Sequence, residues 1–134
     1  MIKKTLLALF CLVLAQTVLA QSAKPVKLTF SYQVKNTIEG YEYISKLVVY
    51  VDDQVAGEST PLIQTKPNSV TVSIPKGNHK VRAVLMAQFE GNWEERTKDN
   101  NYSWDFEWTQ TGDFSKNRKI KITFDINKGV SSKG

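Results

Sequence analysis

The sequence predicts an all-β fold: a single, seven-stranded, immunoglobulin-like β-sandwich. Three observations lead there. Apolar residues recur at every second position along most of the chain, turn residues interrupt them at spacings of about eight to twelve, and nothing after residue 20 shows a helical period. The chain has 134 residues, enough for one domain. Residues 21–134 contain four leucines and are about 35% apolar, workable for strands that bury one face each.

The first segment stands apart from this pattern. Met1-Ile-Lys-Lys4 is basic, Thr5–Ala15 is apolar, and Val18-Leu19-Ala20 places small residues before Gln21. That is the layout of a secretory signal peptide cleaved after Ala20, and its compact basic start fits bacterial export. The apolar run is too short to span a bilayer, so no stable membrane insertion is expected. Cys11 follows Phe10, where lipid attachment would need a small residue, so the exported chain should carry no cysteine and rest on its hydrophobic core alone.

The strands follow in order. Val26, Leu28, Phe30, Tyr32 and Val34 alternate with polar residues, and Asn36–Gly40 reads as a loop. Ile44–Val51 is denser in β-branched and aromatic residues, as a central strand would be. Asp52-Asp53-Gln54 supplies a turn before a short strand at Val55-Ala56, stopped by Gly57, and Pro61 and Pro67 bracket an irregular crossing. Val70, Val72 and Ile74 end at the turn Pro75-Lys76-Gly77-Asn78, and Val81, Ala83, Leu85, Ala87 and Phe89 form a long strand. Glu90–Asn101 reads as a polar loop. Tyr102, Trp104, Phe106 and Trp108 alternate as a sixth strand, Thr111-Gly112-Asp113 turns the chain, and Ile120–Ile126 closes the fold, leaving 128–134 as a flexible tail. The domain is thus placed at 21–127.

The middle of the chain carries a specific pattern. Val49, Val51, Asp52, Gly57, Thr60 and Pro61 are followed by Val70, Val72, Pro75, Gly77, His79 and Val81. This resembles the PEGA-type module, a small β repeat of bacterial envelope and extracellular proteins, over about 47–89. Asp53 stands where the module's turn glycine is common, and the connection from Pro61 to Val70 is longer than usual. The resemblance implies an immunoglobulin-like or prealbumin-like sandwich with a binding or structural role in the envelope.

Charge narrows the function. The net charge is +5 over the whole chain. Without Lys3 and Lys4 it falls to 16 basic against 13 acidic residues, interspersed except for Lys116–Lys121, so no nucleic-acid footprint is present. His79 is the sole histidine and sits at a turn-to-strand junction, which favours a structural role over a catalytic one. Asp99, Asn101, Ser103 and Asp105 have the spacing of a calcium loop's start, but Trp104 stands at the glycine position and Gln110 at that of the bidentate glutamate. Asp105 and Glu107 on one strand face would lie about 6–7 Å apart, within glycosidase range, yet a domain this small leaves little room for a cleft. No catalysis, metal or cofactor is therefore expected.

The aromatics remain. The Tyr102–Trp108 ladder serves best as a core face. Trp93, among Glu90, Asn92, Glu94 and Arg96, has no alternating neighbours and is placed as a partner-binding or end-plugging residue, with Tyr41 and Tyr43 as lesser members of the same class. The expected function is a non-enzymatic, periplasmic or extracellular accessory of the bacterial envelope that binds an envelope protein or glycan. The alternatives are a carbohydrate-binding module using exposed aromatics, or a secreted enzyme inhibitor inserting the 90–101 loop.

Overall fold

The computed structural model describes residues 24–40 and 42–134. The expected signal peptide with Cys11, and the candidate residue Tyr41, lie outside the described residues. Ten strands are present among them: β1 (Val26–Lys35), β2 (Ile44–Val51), β3 (Gln54–Glu58), β4 (Leu62–Ile63), β5 (Asn68–Ile74), β6 (Gly77–Phe89), β7 (Asn92–Glu95), β8 (Glu107–Phe114), β9 (Arg118–Asp125) and β10 (Gly129–Lys133). A single 3₁₀ turn at Lys98–Asn100 precedes β8.

The strands make a β-sandwich. One sheet has the order β10-β9-β1-β5, in which β1 pairs antiparallel with β5 and parallel with β9. The other runs β3-β2-β6, with β4 also on β2, and with β7 and β8 both on β6. The expected alternation sets the inner faces. Leu28, Phe30 and Tyr32 of β1 and Ile120, Ile122 and Phe124 of β9 meet Leu47 and Val49 of β2 and Val81, Ala83 and Leu85 of β6 in one buried core. Edge-on aromatic contacts support the core, between the layers from Phe30 to Trp108 at 5.4 Å and within one sheet from Tyr32 to Phe124 at 5.9 Å between ring centroids.

Five sequence expectations are corrected. Seven strands become ten. The polar loop 90–101 is largely structured, because Asn92–Glu95 adds β7 to the edge of β6. The aromatic ladder does not extend as a strand over 102–106: the edge of β6 beyond Leu85 is occupied by Arg96 and β7, so these residues have nothing to pair with, and β8 begins at Glu107. The ladder's rings still point inward, with Phe106 buried and Trp104 and Trp108 packed on the core. Thr111-Gly112-Asp113 lies inside β8, paired with Lys80, His79 and Asn78.

The tail expected at 128–134 is instead β10. Asp125 turns the chain there by accepting from Asn127 N at 2.8 Å and Lys128 N at 3.2 Å, and Asn36 Nδ2 holds the same oxygen at 2.8 Å. Gly129 follows with φ +93°, and the ring of Trp104 lies only 3.0 Å from where a Cβ would be. Glycine therefore serves both the turn and the packing of Trp104 against it.

Gly57 on β3 shows the same economy of space without a backbone constraint. A Cβ there would lie 2.7 Å from Cγ1 of Val72, a stiff and buried side chain on the opposite sheet. Gly57→Ala is expected to lower the free energy of unfolding by about 1–3 kcal/mol through overpacking, read by denaturant unfolding. Gly57→Ala combined with Val72→Ala should recover part of that loss, since the second change removes the clashing methyls.

Candidate functional site

β6 is long enough to have two neighbours on one edge. It pairs with β8 from Gly77 to Val84 and with β7 from Met86 to Phe89. Leu85 lies between, and its backbone serves both sides: Leu85 N donates to Phe106 O, and Arg96 N donates to Leu85 O, each at 2.9 Å. Phe106 N donates to Arg96 O, also at 2.9 Å. The excursion 97–105 therefore leaves and returns at one point. Inside it, Lys98 N donates to Asp105 Oδ1, Asn100 Nδ2 to Glu95 O, and Asn101 closes the 3₁₀ turn in the left-handed region at φ +68°.

This closure puts Arg96 on the inner side of the sheet, 6% exposed. Its guanidinium stands over three rings, at 5.0 Å from the centroid of Phe106, 5.3 Å from Tyr102 and 5.9 Å from Tyr43. Nη1 donates to Gln64 Oε1 at 2.8 Å, whereas Nε is buried with no acceptor. Among the described residues no carboxylate forms an ion pair with Arg96. Burial depresses its pKa, opposed by the phenols of Tyr102 and Tyr43. Tyr102 in turn donates to Glu94 Oε1 at 2.5 Å, and burial together with that carboxylate raises the phenol's pKa, keeping it a donor.

Beside Arg96 opens a pocket of about 170 Å³, walled by Tyr102, Trp104, Phe106 and Ile126, with exposed Asn101 and Ser103 at its rim. Trp104 is fixed by Nε1–H donating to Ile126 O at 2.9 Å. A second buried orphan, Ser45 Oγ, lies at the same end of this sheet, where Ser45 pairs with Ala87 two positions along from Leu85.

The outer face of the same sheet is different. Trp93, opposite Gln88, is half-buried under Lys46, whose Nζ stands 4.4 Å from its ring centroid. Ile44 and Phe89 are nearly half exposed at this end. Arg82 organises the rest of the face: its Nη1 and Nη2 fork onto Glu95 at 2.9 and 2.7 Å, and its Nε reaches Glu107 at 2.6 Å. That fork joins β6 to β7 and β8 and lowers the pKa of Glu95.

The sequence-selected residues thus divide. Arg96, Glu94 and Tyr43 gather on the inner side, Trp93 stands on the outer, and Glu90 and Asn92 are exposed at the β6–β7 turn. Glu90 adopts φ +50° there. Gln64 and Ser45 escaped the sequence reading, since an isolated Gln or Ser carries no periodic signal. The 90–101 segment, expected as the inserting loop of an inhibitor, is tied into the sheet by β7 and into the 3₁₀ turn.

His79 and the acidic residues hold the fold. Nε2 donates to Pro75 O at 2.6 Å, which can only accept, and Nδ1 meets Asp52 Oδ2 at 2.6 Å, so the doubly protonated ring satisfies both. Asp52 also accepts from Lys80 N at 2.9 Å. Asp52 and Asp53 both have positive φ, 50° and 67°, the two-residue hairpin turn that fits the twist of its strands. The calcium-loop spacing at 99–105 is spent on the 3₁₀ turn, and among the described residues no group of three or more His, Cys, Asp or Glu is arranged to hold a metal.

The bond to Asp52 raises the His79 pKa, and the same bond lowers that of Asp52. Their contribution to stability is therefore complete between the ordinary values of 3.8 for the carboxyl and 6.5 for the imidazole. It is lost as pH falls through the depressed Asp52 pKa, and lost again as pH rises through the elevated His79 pKa. Unfolding free energies measured across pH should show both limbs in the wild type, and Asp52→Asn should flatten both.

No family model matches the chain, and no curated protein matches it. Among solved structures it is similar to a protein of Bacteroides ovatus described as a "putative cell adhesion protein", with 8% identity and a TM-score of 0.36. The match covers 82% of this chain and 43% of that one, so the chain spans less than half the length of that neighbour.

Proposed function

We propose that this chain is a non-enzymatic accessory of the bacterial envelope, exported to the periplasm or beyond, that works by binding a partner at the end of the β6–β7 hairpin. The supporting observation is how polar capacity is distributed. Asp52, His79, Glu95, Asp105 and Glu107 are engaged in bonds that hold turns and strands. The groups with unspent capacity, Trp93 outside and Arg96 inside, lie at one end of one sheet. A tryptophan held beneath a lysine, on the same face as exposed Ile44, has the anchor-and-rim composition of a contact surface. The PEGA-like residues support the envelope assignment through their role in the β2–β3 hairpin and the β5–β6 turn.

A second reading, a carbohydrate-binding module, is favoured by the pocket at Arg96, where aromatic walls meet amide and hydroxyl groups at the rim. The exposed flat ladder that this alternative first required is not used, since Phe106 is buried and Trp108 packs on Phe30.

The test is capture from a native envelope fraction on the exported chain, run beside Trp93→Ala. Loss of a hot-spot tryptophan should weaken capture about thirtyfold or more. Its structural cost includes the cation–π contact with Lys46, about 0.5–1 kcal/mol, together with the apolar burial of a half-buried ring. Equal capture by both proteins would remove the outer face from the binding surface.

A further inference from the structure

A buried guanidinium normally faces a carboxylate. Arg96 faces three aromatic rings, one glutamine oxygen and a pocket. Rings attract a cation but accept no strong hydrogen bond, and Nε is left buried with no acceptor. Taking such a charge out of water without a counter-charge is costly, and substitution by a residue of similar volume is often neutral or stabilising. A chain that keeps an arginine there keeps a charge at the expense of stability, as binding sites do.

We infer that the pocket beside Arg96 binds the carboxylate of a uronic acid residue of a glycan. The carboxylate supplies the planar, bidentate partner that a guanidinium fork matches and that this one lacks. The walls decide the rest of the ligand. Trp104 and Tyr102, both half-buried, offer apolar faces for the carbon side of a sugar ring, and Asn101 and Ser103 stand exposed at the rim to hydrogen-bond its hydroxyls. An aliphatic acidic side chain of a protein would use the arginine and leave the rim groups idle. The volume of about 170 Å³ falls below the range for drug-sized ligands, which limits the pocket to one such residue of a longer chain. Glu94 does not fill the vacancy, because its Oε1 is bonded to Tyr102. This inference rests on the carbohydrate-binding reading and specifies its ligand class.

The experiment is a titration of the folded protein with sodium galacturonate and sodium glucuronate to millimolar concentration, following the three tryptophan indole N–H resonances by NMR. Galactose, glucose and a short glutamate-containing peptide serve as comparison ligands. The expected result is a saturable shift of the Trp104 signal with the uronates alone, the Trp93 and Trp108 signals staying in place. Arg96→Met should weaken the interaction about thirtyfold or more while leaving the melting temperature unchanged or higher. Ser103→Trp, which closes the rim and leaves Arg96 in place, should abolish it, and it carries the test if Arg96→Met fails to fold. The inference is overturned if the uronates leave Trp104 unmoved, if the neutral sugars or the peptide shift it equally, or if binding survives in Ser103→Trp. Those failures leave the Trp93 face untouched, since capture there is read separately.

Discussion

The backbone of Leu85 is the constraint on which the functional end of this molecule depends. A strand edge can satisfy one neighbour at a time, and β6 meets two, handing over from β8 to β7 at this residue. Because Leu85 donates to Phe106 and accepts from Arg96, and because those two also bond each other, residues 97–105 form a closed excursion pinned at a single point. Every other property of the region follows from that closure. Residues 102–106 lose the chance to pair as a strand, so their aromatic side chains wedge into the open end of the sandwich. Arg96 takes the inward direction that Leu85 and Ala87 have on β6, which in an ordinary sandwich would belong to an apolar residue.

The two faces of the same sheet then solve the problem of charge in opposite ways. Outside, Arg82 is half-buried and surrounded by two carboxylates in a bidentate and a single bond, which stiffens the junction of β6, β7 and β8. Inside, Arg96 is more deeply buried and has aromatic rings and a glutamine instead. Geometry alone does not require the inner arginine, since the contacts that fix residue 96 run through its backbone N–H and C=O. The side chain is free to be chosen for another purpose, and its position beside a cavity gives that purpose a place.

Much of the fold was legible because alternation is a direct record of which face is buried. Val26–Val34, Val72–Ile74, Val81–Ala87 and Ile120–Phe124 all bury the residues that the period of two selects, and Val70 packs partly buried beside them. The misreadings share one cause, competition for strand edges, which a single sequence does not record. Tyr102–Phe106 alternates correctly but finds its edge taken, while Asn92–Glu95 and Gly129–Lys133 are polar and short yet pair because an edge is free beside them. Turn chemistry at Asp125 and Gly129 was the available signal for the last strand, and its Ser-rich composition masked it. At the candidate site, the aromatic and arginine residues stood out in sequence, but Gln64 and Ser45 did not, because their importance arises only from burial.

The PEGA-like positions are also explained by local physics. Asp52 closes a turn of positive φ and binds His79, His79 binds Pro75, and Gly57 makes room for Val72, so the pattern encodes how the β2–β3 hairpin is locked to the start of β6. This lock sits at His79, near the start of β6, and Arg96 sits opposite Leu85, about 20 Å further along at a rise of roughly 3.3 Å per residue. At the first end every ring nitrogen and the aspartate find partners; at the second, Arg96 Nε and Ser45 Oγ do not. The strand is thus satisfied at one end and keeps buried polar atoms without partners toward the other.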